Sequence, residues 1–379
     1  MQALAGLSGL RCLQLSSSDT AAAPDDVLAP LSALQQLTLL HAGRVRPVQL
    51  QWVPASVQQL QLSVGRMNAR QLEQLAEWLR KHASVVSALE LNLSDMSFSD
   101  SWWAAVDSLI AAFQAGAAAA TAGPAAATMP AAATPTGART AASSTWKLQD
   151  LKMVTQLDNI TPGSIVQHLP AGTLRRLSGD FDWNSAAHIS AVCAQTSLQD
   201  LHLGDTGLGG VGLIRQADDA LAALSSLQQL KRLRLYSVRR EQLQHLQLPK
   251  LQHLSMHLYW TPERPPLLRL DQLTALLTLS VKSSARGLQR EDRLPPSLCD
   301  INWRGLVTSP TAGIQPLLGL SQLQQLHITC EDILTAGHDD STLVGEDLAQ
   351  LSTLTSLQDV ALKVQQQRQW AQRHGTCFR

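Results

Sequence analysis

Apolar residues along this chain fall on a short grid that returns many times. Leu7, Leu10, Leu13 and Leu15 form LxxLxxLxL, and the string recurs at Leu31, Leu34, Leu37 and Leu39 and at Leu227, Leu230, Leu233 and Leu235. Further copies use Leu273, Leu276, Leu279 and Val281, then Leu320, Leu323, Leu326 and Ile328, then Leu354, Leu357, Val360 and Leu362. A second form opens on a proline turn: VPASVQQLQL at Val53–Leu62, LPAGTLRRLSG at Leu169–Gly179 and LPPSLCDINW at Leu294–Trp303. Shorter copies lie at Leu148, Leu151 and Met153, at Leu198, Leu201 and Leu203, and at Leu251, Leu254 and Met256, with Leu89-Glu-Leu91 as a weaker member. The alternating LxL core predicts a strand with its leucines on one face and the intervening residues on the other. A helical bundle is not predicted, because prolines such as Pro54, Pro170, Pro249, Pro295 and Pro316 interrupt the chain too often for sustained helical periodicity.

The accumulated copies resemble the leucine-rich repeat family, whose core is LxxLxLxxN/C in units of about 20–29 residues. Anchors at Leu13, Leu37, Leu60, Leu89, Leu151, Leu177, Leu201, Leu233, Leu254, Leu279, Ile301, Leu326 and Val360 keep mostly to that step and cover nearly the whole chain. The resemblance implies an α/β leucine-rich-repeat solenoid or horseshoe. A parallel β-ribbon would line its concave face, with short helices and loops on the convex face. No unit can bury its leucines alone, so neighbouring coils must stack. One departure stands out. The family's Asn position holds Ser18, Ala42, Gly65, Ser94, Gln156, Thr206, Val238 and Ser284, and none is Asn. The side-chain ladder that satisfies backbone groups in the family is therefore expected to be absent or replaced by Ser and Thr hydroxyls and water.

Composition narrows the class. Among 379 residues there are 67 leucines and 37 glutamines, with 4% aromatics and a formal net charge of zero. So much leucine excludes a disordered chain, and the balanced charge speaks against a polyanion partner, so no nucleic acid is expected. No run reaches the roughly 18 apolar residues needed to cross a membrane. Five dispersed cysteines without a CxxC point to a reducing, cytoplasmic setting. The start MQALAGLSGLRCLQL has neither a basic n-region nor an apolar h-region, so no secretory signal is expected.

Residues 114–145 are almost all Ala, Thr, Pro, Gly and Ser and are expected to be disordered. Removing them leaves the flanking anchors one long repeat apart. The predicted organisation is therefore N-terminal repeats at 1–113, with a helix at Ser99–Phe113, then the insertion at 114–145. C-terminal repeats follow at 146–364, either continuous with the first block, which the spacing favours, or as a second solenoid joined by a linker, with a polar tail or ragged cap at 365–379.

No catalytic motif is present, and no catalytic residue, cofactor or metal site is predicted. The run Gly204–Gly210 follows a repeat strand and reads as a turn, and His245, His253 and His257 lack a Cys partner for a metal site. The residues that alternation turns away from the core carry more information. Early copies present Cys12, Gln14, Gln36, Thr38, Leu40, Gln59 and Gln61, a neutral, amide-rich strip. Later copies present His202, Arg232, Arg234, Tyr236, His253, His257, Lys282, Arg304 and His327. That basic, histidine-rich stripe, with Arg and Tyr favoured at protein interfaces, points to a protein partner with an acidic patch. The family resemblance implies a non-enzymatic protein-interaction scaffold. Alternatives are a substrate-recognition adaptor of a ubiquitin ligase lacking its F-box-like part, and a component of a cytoskeletal or ciliary axonemal assembly.

Overall fold

The structure is a computed structural model, and it describes residues 6–15, 24–43, 45–64, 67–93, 100–121, 147–155, 162–180, 185–204, 217–258, 267–283, 288–305, 315–332 and 350–366. Two compact units divide the chain at Leu198 and Gln199. The first contains β1 (Cys12–Leu15), β2 (Leu39–Ala42), β3 (Gln59–Val64), β4 (Val86–Leu93), β5 (Asp150–Thr155) and β6 (Arg176–Asp180). These pair in chain order, every pair parallel. The second contains β7 (Asp200–Gly204), β8 (Arg232–Val238), β9 (His253–Leu258), β10 (Thr278–Ser283), β11 (Asp300–Gly305), β12 (Gln325–Asp332) and β13 (Asp359–Gln366), again parallel and in chain order.

Register turns the sequence grid into continuous lines of core residues. In the second unit Leu201, Leu233, Leu254, Leu279, Ile301 and Leu326 stand side by side across the strands. Leu203, Leu235, Met256, Val281, Trp303 and Ile328 form the next line, and all twelve are buried. The upstream residues Leu227, Leu230, Leu251, Leu273, Leu276, Leu298, Leu320 and Leu323 are buried behind them. Each full burial contributes about 1.5–3 kcal/mol, which no single coil could collect alone. Two residues of the leucine grid outside these inner lines stay open: Leu7 is 49% and the anchor Val360 45% exposed.

The first unit corrects the grid in two places. The second copy is read one phase out: Leu40 pairs with Leu13 and Leu60 and is fully buried with Ala42, whereas Leu39 faces outward and is half-buried. The expected outward residue Leu40 is therefore a core residue. Leu39-Leu40 offers two apolar phases, and the strand takes the one that also buries the small Ala42. Between β3 and β4 a β-bulge shifts the pairing, so Leu89 aligns with Leu62 and not with Leu60.

Helices and tight turns carry the chain back from strand to strand. They are α1 (Ala69–His82), α2 (Asp100–Thr121), α3 (Pro162–Val166), α4 (Ala186–Cys193) and α5 (Ala217–Leu224), with 3-10 turns at Ala29–Ala33, Pro47–Trp52, Arg240–His245 and Gln315–Leu317. Helix α1 begins at a reciprocal cap, Asn68 with Gln71, buries Leu72, Leu75, Ala76, Trp78 and Leu79 along one stripe, and ends on Arg80, Lys81 and His82. Helix α2 packs against it, burying Trp102, Ala105, Val106, Leu109, Ala112 and Phe113, while Arg80 donates hydrogen bonds to the Ser108 carbonyl and hydroxyl. It runs past Phe113 to Thr121, as an alanine-rich stretch without proline allows. Residues 122–145 and 367–379 lie outside the described residues. Among those described, no helix is long and apolar enough to cross a membrane.

Among the described residues, backbone groups of the coils find side-chain partners other than Asn. At the two family Asn positions that are described, Ala42 and Val238 sit in the core, 1% and 2% exposed. Glutamines upstream of the strands take over much of this work. Buried Gln195 accepts from the Thr173 and Leu174 amides and donates to the Pro170 carbonyl, joining neighbouring coils. Gln49 accepts from the Arg46 amide and donates to the Pro24 carbonyl, and Gln242 accepts from the Arg239 amide. Serines add rungs between coils, with Ser56 donating to Leu34, Ser297 to Leu276 and Ser356 to Ser321 carbonyls. At the start of the strands one carbonyl accepts two successive amides of the next coil, as Lys231 does for Gln252 and His253. In the second unit a buried ion pair, Arg240 with Asp292 at 3.1 Å, spans the coil between them. Asp292 also accepts from the Leu268 and Gln289 amides. Burial pushes the Asp292 carboxyl up and the Arg240 guanidinium down, against their mutual attraction.

Candidate functional site

Alternation along each strand separates two sets of side chains, and the set facing away from the core forms outward rows across the second unit. The leading row is Asp200, Arg232, His253, Thr278, Asp300, Gln325 and Asp359. The middle row is His202, Arg234, Ser255, Ser280, Asn302, His327 and Ala361. The trailing row runs from His257 through Lys282 and Arg304 to Thr329, with Tyr236 beside it where a bulge interrupts β8 against β9. Leucines inside, polar rows outside and one strand per coil are now fixed by register and burial. The fold is a leucine-rich repeat solenoid.

The rows of this repeat ribbon differ chemically. The leading row mixes signs and pairs internally: Arg232 meets Asp200 at 2.8 Å, and His327 of the middle row meets Asp359 at 3.1 Å. The trailing side carries no carboxylate on β8–β11. There Arg234, Tyr236, Ser255, His257, Ser280, Lys282, Asn302 and Arg304 line a groove of about 370 Å³, floored by Leu235, Met256 and Val281. Arg234 lies over the Tyr236 ring at 5.3 Å, and the His202 ring stacks on the same Tyr at 5.6 Å. Tyr236 thus holds a guanidinium and an imidazole in place. Lys282 stands directly beside Arg304 on one side and His257 on the other. Lys282 and Arg304 are exposed and neither makes an ion pair among the described residues.

The sequence-derived residues therefore separate into groups. Arg234, Tyr236, His257, Lys282 and Arg304 come together in the groove, and His202 supports it through Tyr236. Arg232 and His327 are engaged by neighbouring carboxylates, and His253 stands exposed in the leading row, outside the groove. Ser255, Ser280 and Asn302 also line the groove. Alternation places them on this face, but nothing in the sequence marks a neutral residue as part of a cluster. Among the described residues no three His, Cys, Asp or Glu side chains converge as metal ligands, and His245, His253 and His257 do not meet.

The first unit has a second groove of similar size, about 370 Å³, at the leading edge of its strands. Gln58, Gln59, Ser87, Lys147, Gln149, Thr173, Arg175 and Ser197 line it, so amides and hydroxyls outnumber charges. On the strands of that unit, Lys152 pairs with Glu90 at 2.8 Å and Arg176 pairs with Asp150 through two guanidinium donors.

No family model and no curated protein matches the chain. Among solved structures, a leucine-rich repeat protein of Leptospira interrogans matches over 98% of this chain and 89% of its own, at 14% identity and a TM-score of 0.43. A leucine-rich repeat-containing protein of Legionella pneumophila matches over 83% of this chain and 90% of its own, at 15% identity and a TM-score of 0.36. Internalin C2 of Listeria monocytogenes matches over 53% of this chain and 75% of its own, at 19% identity and a TM-score of 0.32.

Proposed function

We propose that this protein is a non-catalytic interaction scaffold whose second unit binds an acidic segment of a protein partner across the outward ribbon face. The observation that carries this reading is the groove on β8–β11, where Arg234, Lys282 and Arg304 gather with no carboxylate in the lining. A rigid parallel ribbon suits recognition, because its side chains are held at strand spacing by backbone pairing and need little ordering on binding. Tyr236 and Arg234 are the residue types that most often dominate such interfaces, and here they brace each other. His202 stacks on Tyr236 beside the groove, and Arg232, His253 and His327 stand in the neighbouring outward rows.

The test is comparative affinity purification from the source cell, followed by quantitative mass spectrometry. The wild-type chain is compared with a chain carrying Arg234→Glu and Arg304→Glu. Proteins recovered with the wild type and depleted with the reversed chain are the expected result. An identical set at identical abundance would sink the reading.

A further inference from the structure

The groove has a feature that recognition of ordinary acidic side chains does not require. Lys282 and Arg304 occupy directly opposed positions on adjacent parallel strands, with His257 opposed to Lys282 on the other side. Like charges at such cross-strand positions cost stability, and three other strand cations of this chain stand opposite a carboxylate instead. Lys152 faces Glu90, Arg176 faces Asp150 and Arg232 faces Asp200. At the groove Lys282 and Arg304 stand opposite one another with no carboxylate in the lining, and Arg234 is held against Tyr236 at the far side. The donors there also exceed what one carboxylate can use. Two guanidinium forks, one ammonium, the Ser255 and Ser280 hydroxyls and the Asn302 amide surround one space. A carboxylate offers two oxygens and one negative charge. A phosphate monoester offers three terminal oxygens and nearly two charges at neutral pH.

From this convergence we propose that the groove recognises a phosphorylated serine or threonine in an extended segment of the protein partner. The inference rests on the acidic-partner reading above and names the group that the groove selects. Arg304 and Lys282 take the phosphate oxygens together, and Arg234, steadied by Tyr236, closes the opposite side. Ser255, Ser280 and Asn302 supply neutral hydrogen bonds between them. The apolar floor of Leu235, Met256 and Val281 belongs to the buried core lines, so the groove is shallow and admits a side chain lying across strands.

The experiment uses the full chain and three immobilised peptide libraries, random at flanking positions and fixed at the centre as phosphoserine, Glu-Glu or Ser. Retention is quantified for the wild type, Lys282→Ala, Arg304→Ala and Arg176→Ala. Expected is retention on phosphoserine at least about tenfold above Glu-Glu, with little on Ser. Lys282→Ala and Arg304→Ala each lose about tenfold, while Arg176→Ala binds like the wild type. Folding of each variant is checked by circular dichroism, and Lys282→Arg, which keeps the charge, should retain most of the binding. Equal retention on phosphoserine and Glu-Glu overturns the phosphate proposal and leaves the acidic-partner reading standing. No retention on either library overturns both. Binding to vesicles of phosphatidylcholine with a tenth phosphatidylinositol phosphate, in place of any peptide, also overturns the proposal, because it moves the phosphate to a lipid headgroup.

Discussion

On the strands of the first unit, the outward cations Lys152 and Arg176 each meet a carboxylate one strand away, and its groove sets Lys147 and Arg175 among amides and hydroxyls; in the second unit Arg234, Lys282 and Arg304 gather on adjacent strands in a groove whose lining also contains no carboxylate. The scaffold is the same in both: parallel strands in chain order, leucines inward and alternate residues outward. What differs is whether the polar rows satisfy one another. A face whose charges are internally paired gains a few tenths of a kcal/mol per pair and has little left to offer a ligand. A face that opposes like charges gives up stability of that order and keeps its donors available. The contrast continues beneath the surface. Both units tie coils with neutral glutamine amides, Gln195 in the first and Gln272 in the second, and the second adds a buried ion pair, Arg240 and Asp292.

The largest effect is expected at that ion pair. Asp292→Ala leaves the Arg240 guanidinium buried without its counter-ion and removes the acceptor for two amides, which should cost about 3–5 kcal/mol. Urea denaturation followed by circular dichroism measures it, and a loss under about 1 kcal/mol would show that the pair does not brace its coils. Next comes the phase of the second strand. Leu40→Ala should cost about 2–5 kcal/mol and Leu39→Ala less than about 1, since only Leu40 is enclosed. The reverse order would restore the simple reading of the leucine grid. Gln195→Ala should follow at about 1–3 kcal/mol, by stranding the buried Leu174 amide, the half-buried Thr173 amide and the Pro170 carbonyl. Were it neutral, water would be replacing the amide and the glutamine bridges would be incidental.

The smallest effects separate the two outward faces most cleanly. Arg176→Ala breaks a strand-to-strand ion pair and should lower stability by about 0.2–1 kcal/mol at low salt. Arg304→Gln removes a like-charge neighbour of Lys282 and should leave stability unchanged or raise it by a similar amount. Midpoints of urea denaturation at two salt concentrations distinguish the signs. Two losses of equal size would mean that the groove's cations are stabilised from within after all.

Much of this architecture is written in the leucines, because a repeat states the same rule many times and each copy corrects the others. Twelve of the thirteen anchors occupy strands at core-facing positions in the described structure or continue a core line in register. The exception, Leu37, sits one turn ahead of Leu40 in a stretch where three leucines offer competing phases. The groove was only half legible. Alternation gives the outward face of Arg234, Lys282 and Arg304, but their alignment depends on the length of each intervening coil, and those lengths vary. The pairing of Arg232 with Asp200, 32 positions apart, is invisible for the same reason. The buried glutamines were hidden by the expectation that Gln is a surface residue. A signal was nonetheless present. Arg46-x-x-Gln49-Leu50-Gln51 and Arg239-x-x-Gln242-Leu243-Gln244 are the same motif, and both fold into a 3-10 turn closed by the Gln side chain.

The claim that the second unit's unpaired cations form the binding face is tested most directly by anisotropy titration of a fluorescent twelve-residue polyglutamate peptide. The peptide is titrated with the wild-type chain, with Lys282→Glu/Arg304→Glu and with Arg176→Glu. The predicted result is a loss of more than about tenfold in affinity for the double variant and a change within about twofold for Arg176→Glu. Equal losses for the two variants would contradict it, because the peptide would then be reading overall charge and not the groove.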